Sequence, residues 1–195
     1  MIIDPTTELS DELESGEKLL WSGRPRQGIV FRSSDIFLIP FSLLWGGFAI
    51  FWEVAALYAT SRSGTNTPPG VKFVFPLFGL PFVVIGLYMI FGRFFTDSAQ
   101  RRKTVYGITD QRVIIRSGLF SRATKSLNLR TLSDVTLSER GDGTGTITLG
   151  PTAGFYSWFY GTSWPGMGRN LAPCLDSIAD AKSVYQILRR AQSAA

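Results

Sequence analysis

The residues of this chain that could do chemistry are mainly basic. A group of lysines and arginines lies after residue 100, and its members are candidates for contact with a lipid headgroup or a partner: Arg101, Arg102, Lys103, Arg112, Arg116 and Lys125. Residues 96–195 carry thirteen bases and seven acids, whereas residues 1–35 carry four bases and seven acids. Each Lys or Arg near an anionic bilayer surface adds about 1 kcal/mol of attraction. Ordinary positive-inside bias and a solvated surface explain the same excess equally well.

The basic residues do not form a nucleic-acid-binding pattern. They are spread singly along strand-like segments, and the sequence has no helix-turn-helix or zinc-finger spacing. We therefore expect no nucleic-acid partner.

The inventory of catalytic groups is poor. The chain has no histidine, which removes the usual general base and the commonest metal ligand. Its one cysteine, Cys174, has neither a second thiol nor a histidine to pair with. The carboxylates after the apolar runs are scattered, mostly at turns: Asp97, Asp110, Asp134, Glu139, Asp142, Asp176 and Asp180. The composition predicts a protein that is not an enzyme and that binds no metal or cofactor.

Two long apolar runs must position these basic residues. They are Ile36–Tyr58, with Glu53 as its one ionisable residue, and Phe73–Phe91, with none. About 20 apolar residues in a helix cross the hydrocarbon core of a bilayer, so both runs predict spanning helices joined as a hairpin. Two core helices of a soluble protein are the alternative. A cleaved signal peptide fits less well, because the residues before the first run are acidic.

The flanking charges orient this hairpin. Basic residues precede the first run and follow the second, whereas the connector 59–72 carries only Arg62 and Lys72. Short basic flanks stay in the cytoplasm, so we expect both termini on the cytoplasmic side of the inner membrane. Ser42 and Gly46 on the first helix, and Gly79 and Gly86 on the second, are small enough to allow close packing.

Glu53 lies five residues before the end of the first run. A snorkelling or interfacial carboxylate is the favoured interpretation, and a proton or ion relay is the alternative. A relay would normally need a partner, and the second run offers no ionisable residue.

After the hairpin, apolar residues no longer recur at helical spacing but at every second position. This alternation indicates an antiparallel sheet with one buried face. Predicted strands are Lys103–Thr109, Arg112–Arg116, Lys125–Leu129, Asp134–Glu139 and Thr146–Leu149, with an edge strand at Leu19–Trp21 before the hairpin. Gly141–Gly145 resembles a phosphate loop, but its place between two strands favours a hairpin turn.

A helix closes the chain. Ser177-x-x-Asp180 reads as a capping box with Asp in place of Glu. An amphipathic stripe follows, formed by Ile178, Ala181, Val184, Tyr185 and Leu188.

The stretch Gly154–Gly168 is dense in aromatic residues: Phe155, Tyr156, Trp158, Phe159, Tyr160 and Trp164. Tyr and Trp favour the membrane interface, so one interpretation is a loop that lies against the bilayer or the base of the hairpin. Packing on the sheet as an accessory core is an equal alternative, and base stacking is disfavoured because no Lys or Arg is interleaved.

Several motifs together resemble the bacterial membrane proteins that carry a pleckstrin-homology-like (PH-like) domain. They are Glu17–Pro25, Tyr106–Ile115, Leu132–Val135, Gly145–Gly150 and Ile178–Leu188. The resemblance implies a bent antiparallel sheet of seven strands capped by a C-terminal helix. It brings no catalytic residues. The phosphoinositide pocket of eukaryotic relatives does not transfer, because the first hairpin has no matching basic cluster.

The sequence thus predicts an α+β membrane protein in three parts: a cytoplasmic segment 1–35, a hairpin 36–95 and a PH-like domain 96–195. We expect the domain to bind another protein in preference to a lipid headgroup, and we expect membrane lipids and a protein partner or a second copy of the chain as its partners. A transporter or channel subunit that oligomerises through the hairpin is the alternative.

Overall fold

The computed structural model describes residues 4–31, 35–62, 68–119, 122–151 and 172–195. These residues divide into two units. One unit joins the residues up to Val30 with those from Asp97 onward, and the other holds Phe31–Thr96.

The second unit is a helical hairpin. Its helices are α2 (Asp35–Arg62) and α3 (Pro69–Leu87), and a π-helical turn (Tyr88–Gly92) leads into α4 (Arg93–Arg102). Two stretches, Asp35–Arg62 and Lys72–Arg102, are long and apolar enough to cross a membrane. Only 22% and 12% of their most apolar windows are buried. A helix in the core of a soluble protein has the opposite pattern, with its apolar side chains inside.

Small residues set the contact between α2 and α3, as the sequence predicted. Ser42, Gly46, Gly79 and Gly86 are all buried. A Cβ atom added at Gly86 would lie 2.8 Å from the Cα atom of Gly46, which leaves no room for a side chain. The two backbones therefore approach as closely as small residues permit.

The first unit is built from seven described strands, all paired antiparallel. One sheet has the order β1-β2-β3-β4 and the other β5-β6-β7. Their bounds are β1 Leu19–Gly23, β2 Val105–Thr109, β3 Arg112–Ser117, β4 Ala123–Asn128, β5 Val135–Glu139, β6 Gly145–Leu149 and β7 Cys174–Ile178. Two α-helices lie wholly within the described part of this unit, α1 (Pro5–Ser10) and α5 (Ala181–Ala194), and a 3-10 turn (Leu129–Thr131) follows β4. The strand predicted before the hairpin is β1. It pairs with β2, although the two strands lie on either side of the hairpin in the sequence.

The main core lies between the inner faces of the two sheets and α5. Ile108 from β2, Val113 from β3, Ile147 from β6 and Leu175 from β7 are fully buried there. The stripe predicted on the last helix packs into this core through Ala181, Val184 and Leu188. The alternation read from the sequence thus places the correct residues inside.

The predicted capping box is wrong. Ser177 belongs to β7, and its hydroxyl donates to Asp176 at 3.3 Å instead of capping a helix. Asp180 is the N-cap residue of α5, in a left-handed conformation with no side-chain capping bond. The helix therefore starts at Ala181, because pairing of Ile178 with Gly145 keeps the preceding residues in the sheet.

The glycine-rich run is a hairpin turn between β5 and β6, as its context predicted. The Arg140 N–H donates to the Thr144 carbonyl at 2.8 Å, and Gly143 has a φ of 76°, which favours glycine. Asp142 accepts from the hydroxyl and the N–H of Thr144 at 2.6 and 3.1 Å. These bonds keep the pKa of Asp142 below its usual range.

Candidate binding face of the first sheet

Strand β3 presents its arginines on the face of the sheet opposite the core. Because side chains alternate along a strand, Arg112, Ile114 and Arg116 point outward while Val113 and Ile115 join the core. On the neighbouring β2, Val105, Gly107 and Thr109 lie on the same outer side. We call the surface formed by Val105, Gly107, Arg112, Ile114 and Arg116 the arginine face.

The arginine face is covered by the N-terminal residues 4–17, which we call the acidic segment. This segment holds six acids and no base: Asp4, Glu8, Asp11, Glu12, Glu14 and Glu17. Its helix α1 places Leu9, which is fully buried, against Val105 and Ile114. A Cβ atom at Gly107 would lie 2.8 Å from the Leu9 side chain, so the glycine makes room for it.

Arg112 is the centre of an ionic cluster at one end of this face. Its Nε and Nη2 atoms donate to the two carboxylate oxygens of Glu17 at 2.9 and 2.8 Å. Nη1 pairs with Glu14 at 2.9 Å, and Nη2 also donates to the Glu12 carbonyl at 3.0 Å. A planar guanidinium with several donors suits this combination of a two-point carboxylate contact and a carbonyl.

Glu17 is the most buried member of this cluster, with 1% of its side chain exposed. Burial alone would raise its pKa, but hydrogen bonds from Arg112, the Glu14 N–H and the Thr109 hydroxyl outweigh that effect. The pKa of Glu17 is lowered to about 2. The same contact with Glu17 raises the pKa of Arg112. Both groups are therefore charged at neutral pH, and the pair is a fixed part of the unit.

Arg116 holds the other end of the segment. Its guanidinium donates to the main-chain carbonyl of Glu8, and the Glu8 carboxylate pairs with Arg24 at 2.7 Å. The acidic segment is thus bound through two carbonyls, several carboxylates, the fully buried Leu9 and the partly buried Leu13.

The other four predicted basic residues do not join this cluster. Arg101 is buried, where it pairs with Asp97 at 2.7 Å and donates to the Gly28 carbonyl. Arg102 is exposed, and Lys103 is exposed while donating to the Leu119 carbonyl. Lys125 pairs in register with Ile115, so it lies on the opposite side of the sheet from Arg112 and Arg116. Of the six candidates, the structure brings only Arg112 and Arg116 together.

The candidate interface loop, Phe155, Tyr156, Trp158, Phe159, Tyr160 and Trp164, lies outside the described residues. Membrane docking and accessory-core packing of this stretch both stay predictions.

Sequence reasoning missed the partners of the two arginines. In the sequence, Glu8, Glu14 and Glu17 stand out only as acidic residues ahead of the first apolar run, and Leu9 is not marked at all. The signal that could have found them is charge complementarity: residues 4–17 hold six acids and no base, ahead of a domain with six more bases than acids.

A shallow groove of about 900 Å³ lies elsewhere in this unit, where the end of α5 meets the turn between β2 and β3. Its lining combines apolar and charged side chains, among them Leu20, Asp110, Arg130, Ile187 and Arg190. In the described ranges, no three His, Cys, Asp or Glu side chains are grouped so that they could hold a metal ion.

The fold and the face together define a class: a small α+β domain of two antiparallel sheets and a closing helix, attached in sequence to a hairpin of apolar helices. The comparisons with known proteins agree with this class. The family model described as Bacterial PH domain matches residues 67–192, which is 126 of the 195 residues. The chain belongs to this family, as its motifs predicted.

One curated relative is also similar. It is described as an uncharacterized 23.7 kDa protein in the puhA 5′ region of Rhodobacter capsulatus, and it is 29% identical over 163 residues. The match covers 83% of this chain and 71% of the relative. No solved structure matches the chain.

Proposed function

We propose that this chain is a non-enzymatic inner-membrane protein whose PH domain binds a protein or a lipid headgroup at the cytoplasmic surface. The observation that carries the proposal is the extent of the family match. It begins at residue 67, ahead of α3, and runs to residue 192 in α5, so that one family model spans both an apolar helix and the domain. A domain attached in this way works beside a bilayer whose inner leaflet is anionic.

The exposed cations of the domain support a binding role. Arg102, Lys103 and Lys125 are all exposed. Arg102 is the last residue of the helical stretch that is apolar enough to span, and Lys103 directly follows it; at such a helix end, basic residues meet anionic headgroups.

Site-specific photo-crosslinking in native membranes tests the proposal. A benzophenone amino acid is placed at Lys103 or Lys125, and at Glu139, an exposed site of the same unit, as the matched control. We expect adducts at Lys103 or Lys125 that exceed those at Glu139, and their mass separates lipid from protein. Equal labelling at all three sites would contradict a binding role for the basic positions.

A second function, a transporter or channel subunit, is favoured by one observation in the hairpin. The Oε2 atom of Glu53 is buried against Gly79 and has no hydrogen-bond partner among the described residues. A buried carboxylate at membrane depth is costly, and such groups often line ion or proton paths. Proton flux into proteoliposomes, compared between the wild type and Glu53→Gln, tests this function. Flux equal to that of protein-free vesicles would rule it out.

A further inference from the structure

The contacts of the acidic segment describe what the arginine face can hold. They are of three kinds: an apolar side chain in a hollow, main-chain carbonyls on arginines, and carboxylates on arginines. Leu9 supplies the first, the carbonyls of Glu8 and Glu12 the second, and Glu14 the third. Recognition of main-chain carbonyls together with one apolar anchor is how a protein binds a peptide.

The hollow under Leu9 is apolar and closely fitted. Val105 and Ile114 are 1% exposed, and Gly107 has no side chain that could compete for the space. A lipid phosphate placed there would leave this apolar surface without a partner and would itself lose its hydration. The face therefore requires an apolar group between its two arginines.

The spacing of the arginines also fits a peptide. Arg112 and Arg116 are four residues apart on one strand, which is about 13 Å at 3.3 Å per residue. This is the spacing of the two Cα atoms. The guanidinium groups do not converge on one point: that of Arg112 contacts the Glu12 carbonyl and that of Arg116 the Glu8 carbonyl, an arrangement that suits successive groups along a peptide better than one phosphate.

The first part of the acidic segment is held less firmly than Glu17. Helix α1 has only six residues, and a helix of that length is not stable in water by itself. Leu9 is the one fully buried apolar side chain of α1, and the Glu14 side chain is 71% exposed. Few buried contacts and many exposed groups are typical of segments that open locally without global unfolding.

From these contacts we propose that the arginine face is a docking site for an acidic, leucine-bearing peptide segment of a protein partner. Residues 4–15 occupy the face as an intramolecular competitor for that partner. Because the competitor is covalently attached, its effective concentration is high, on the order of millimolar for a short tether. This inference rests on the proposed binding function and specifies that the bound partner is a protein and not a lipid headgroup.

The test uses the full chain in phosphatidylcholine nanodiscs and a fluorescent peptide of residues 4–15 of this sequence. In one variant, Leu9→Asp removes the apolar anchor of the resident segment. In a second variant, a protease site is inserted between Ser15 and Gly16, both exposed, and is cut after folding. The second variant folds with its own segment in place and keeps Glu17 attached, so it answers the concern that Leu9→Asp does not fold.

We expect the intact wild type to bind the peptide weakly and the cut protein to bind it at least tenfold more tightly. Arg116→Gln in the cut protein should abolish this gain, whereas Arg130→Gln, an exposed arginine away from the face, should not. A peptide with aspartate in place of Leu9 should fail to bind.

Two results would overturn the proposal. One is peptide binding that is no tighter after cutting, or that survives the replacement of Leu9 by aspartate. The other is that the cut protein binds phosphatidylglycerol vesicles through Arg116 and does not bind the peptide. Either result would leave the broader binding function open, because crosslinking at Lys103 and Lys125 tests that function separately.

Discussion

The carboxylate of Glu17 and the guanidinium of Arg112 meet in a two-point ion pair, although 95 residues separate them in sequence. Glu17 precedes the helical hairpin and Arg112 follows it, so the pair joins the two stretches of chain that build the first unit. Pairing of β1 with β2 does the same through the main chain. Glu17 and strand β1 are therefore an integral part of the domain.

Glu17→Gln should destabilise the domain. Replacement removes the buried carboxylate and leaves the partly buried Arg112 guanidinium with only the exposed Glu14 as a counterion, so we expect a loss of about 3 kcal/mol, the lower end for a broken buried pair. Glu14→Gln is the matched control, since Glu14 contacts the same guanidinium but is 71% exposed, and such pairs contribute about 1 kcal/mol or less. Thermal unfolding of the full chain in detergent, followed by circular dichroism, measures both. Equal decreases of the unfolding temperature in the two variants would contradict the prediction that Glu17 contributes more to stability than Glu14.

Acid should weaken the wild type through this same pair. The folded-state pKa of Glu17 is lowered from 4.5 to about 2, so the stability it contributes is present above about pH 4.5 and is lost as the pH falls toward 2. A difference of this size corresponds to roughly 3 kcal/mol. We expect the unfolding temperature to fall across this window in the wild type and to change much less in Glu17→Gln. Parallel pH profiles of the two proteins would show that other carboxylates dominate acid unfolding.

A methyl group at Gly86 should disrupt the hairpin. A Cβ atom there meets the Cα atom of Gly46 at 2.8 Å, whereas one at Gly47 has open space around it. Overpacking of this kind costs about 1–3 kcal/mol, so Gly86→Ala should lower the unfolding temperature and Gly47→Ala should not. Thermal unfolding in detergent compares the two single-residue changes. Unchanged stability in Gly86→Ala would mean that α2 and α3 are not in close contact.

The flanking charges predict that the connector between the helices lies outside the cell. In a background with Cys174→Ser, a cysteine at Thr65 should react with a membrane-impermeant maleimide in intact cells. A cysteine at the exposed Arg140 should react only after the cells are opened. The reverse labelling pattern would place both termini outside.

Much of the domain could be predicted because burial in a sheet is a local pattern. Val113 and Ile115 alternate with Arg112 and Arg116, and this period alone assigns the inner face of β3. Strand β7 was not located residue by residue, because Leu175, Ser177 and Ile178 are all buried and the register shifts between Gly145 and Ile147. An irregular strand does not show a period of two.

The candidate site was only half predictable for a different reason. The sequence marks Arg112 and Arg116 as basic residues on one face, but it does not say what covers that face. Their partners come from the acidic segment, about a hundred residues away, and such a pairing depends on the folded arrangement of β1 and β2. Lys125 was predicted to belong to the site but does not. Its charge grouped it with the arginines, but its strand pairing with Ile115 places it on the other side of the sheet.

The aromatic stretch near residue 160 supplies the last prediction. Its aromatic residues are Phe155, Tyr156, Trp158, Phe159, Tyr160 and Trp164. The Tyr and Trp side chains combine an apolar ring with a polar edge, and both types are enriched at membrane interfaces. With the other tryptophans replaced, we expect Trp158 to be quenched by lipids that carry a quencher near the headgroup. The control is a single tryptophan at Gly141, which is exposed and has open space for a side chain, whereas Gly143 has a positive φ that would strain one. If Trp158 is quenched no more than the tryptophan at residue 141, the stretch does not lie in the bilayer interface, and packing on the sheet as an accessory core becomes its better explanation.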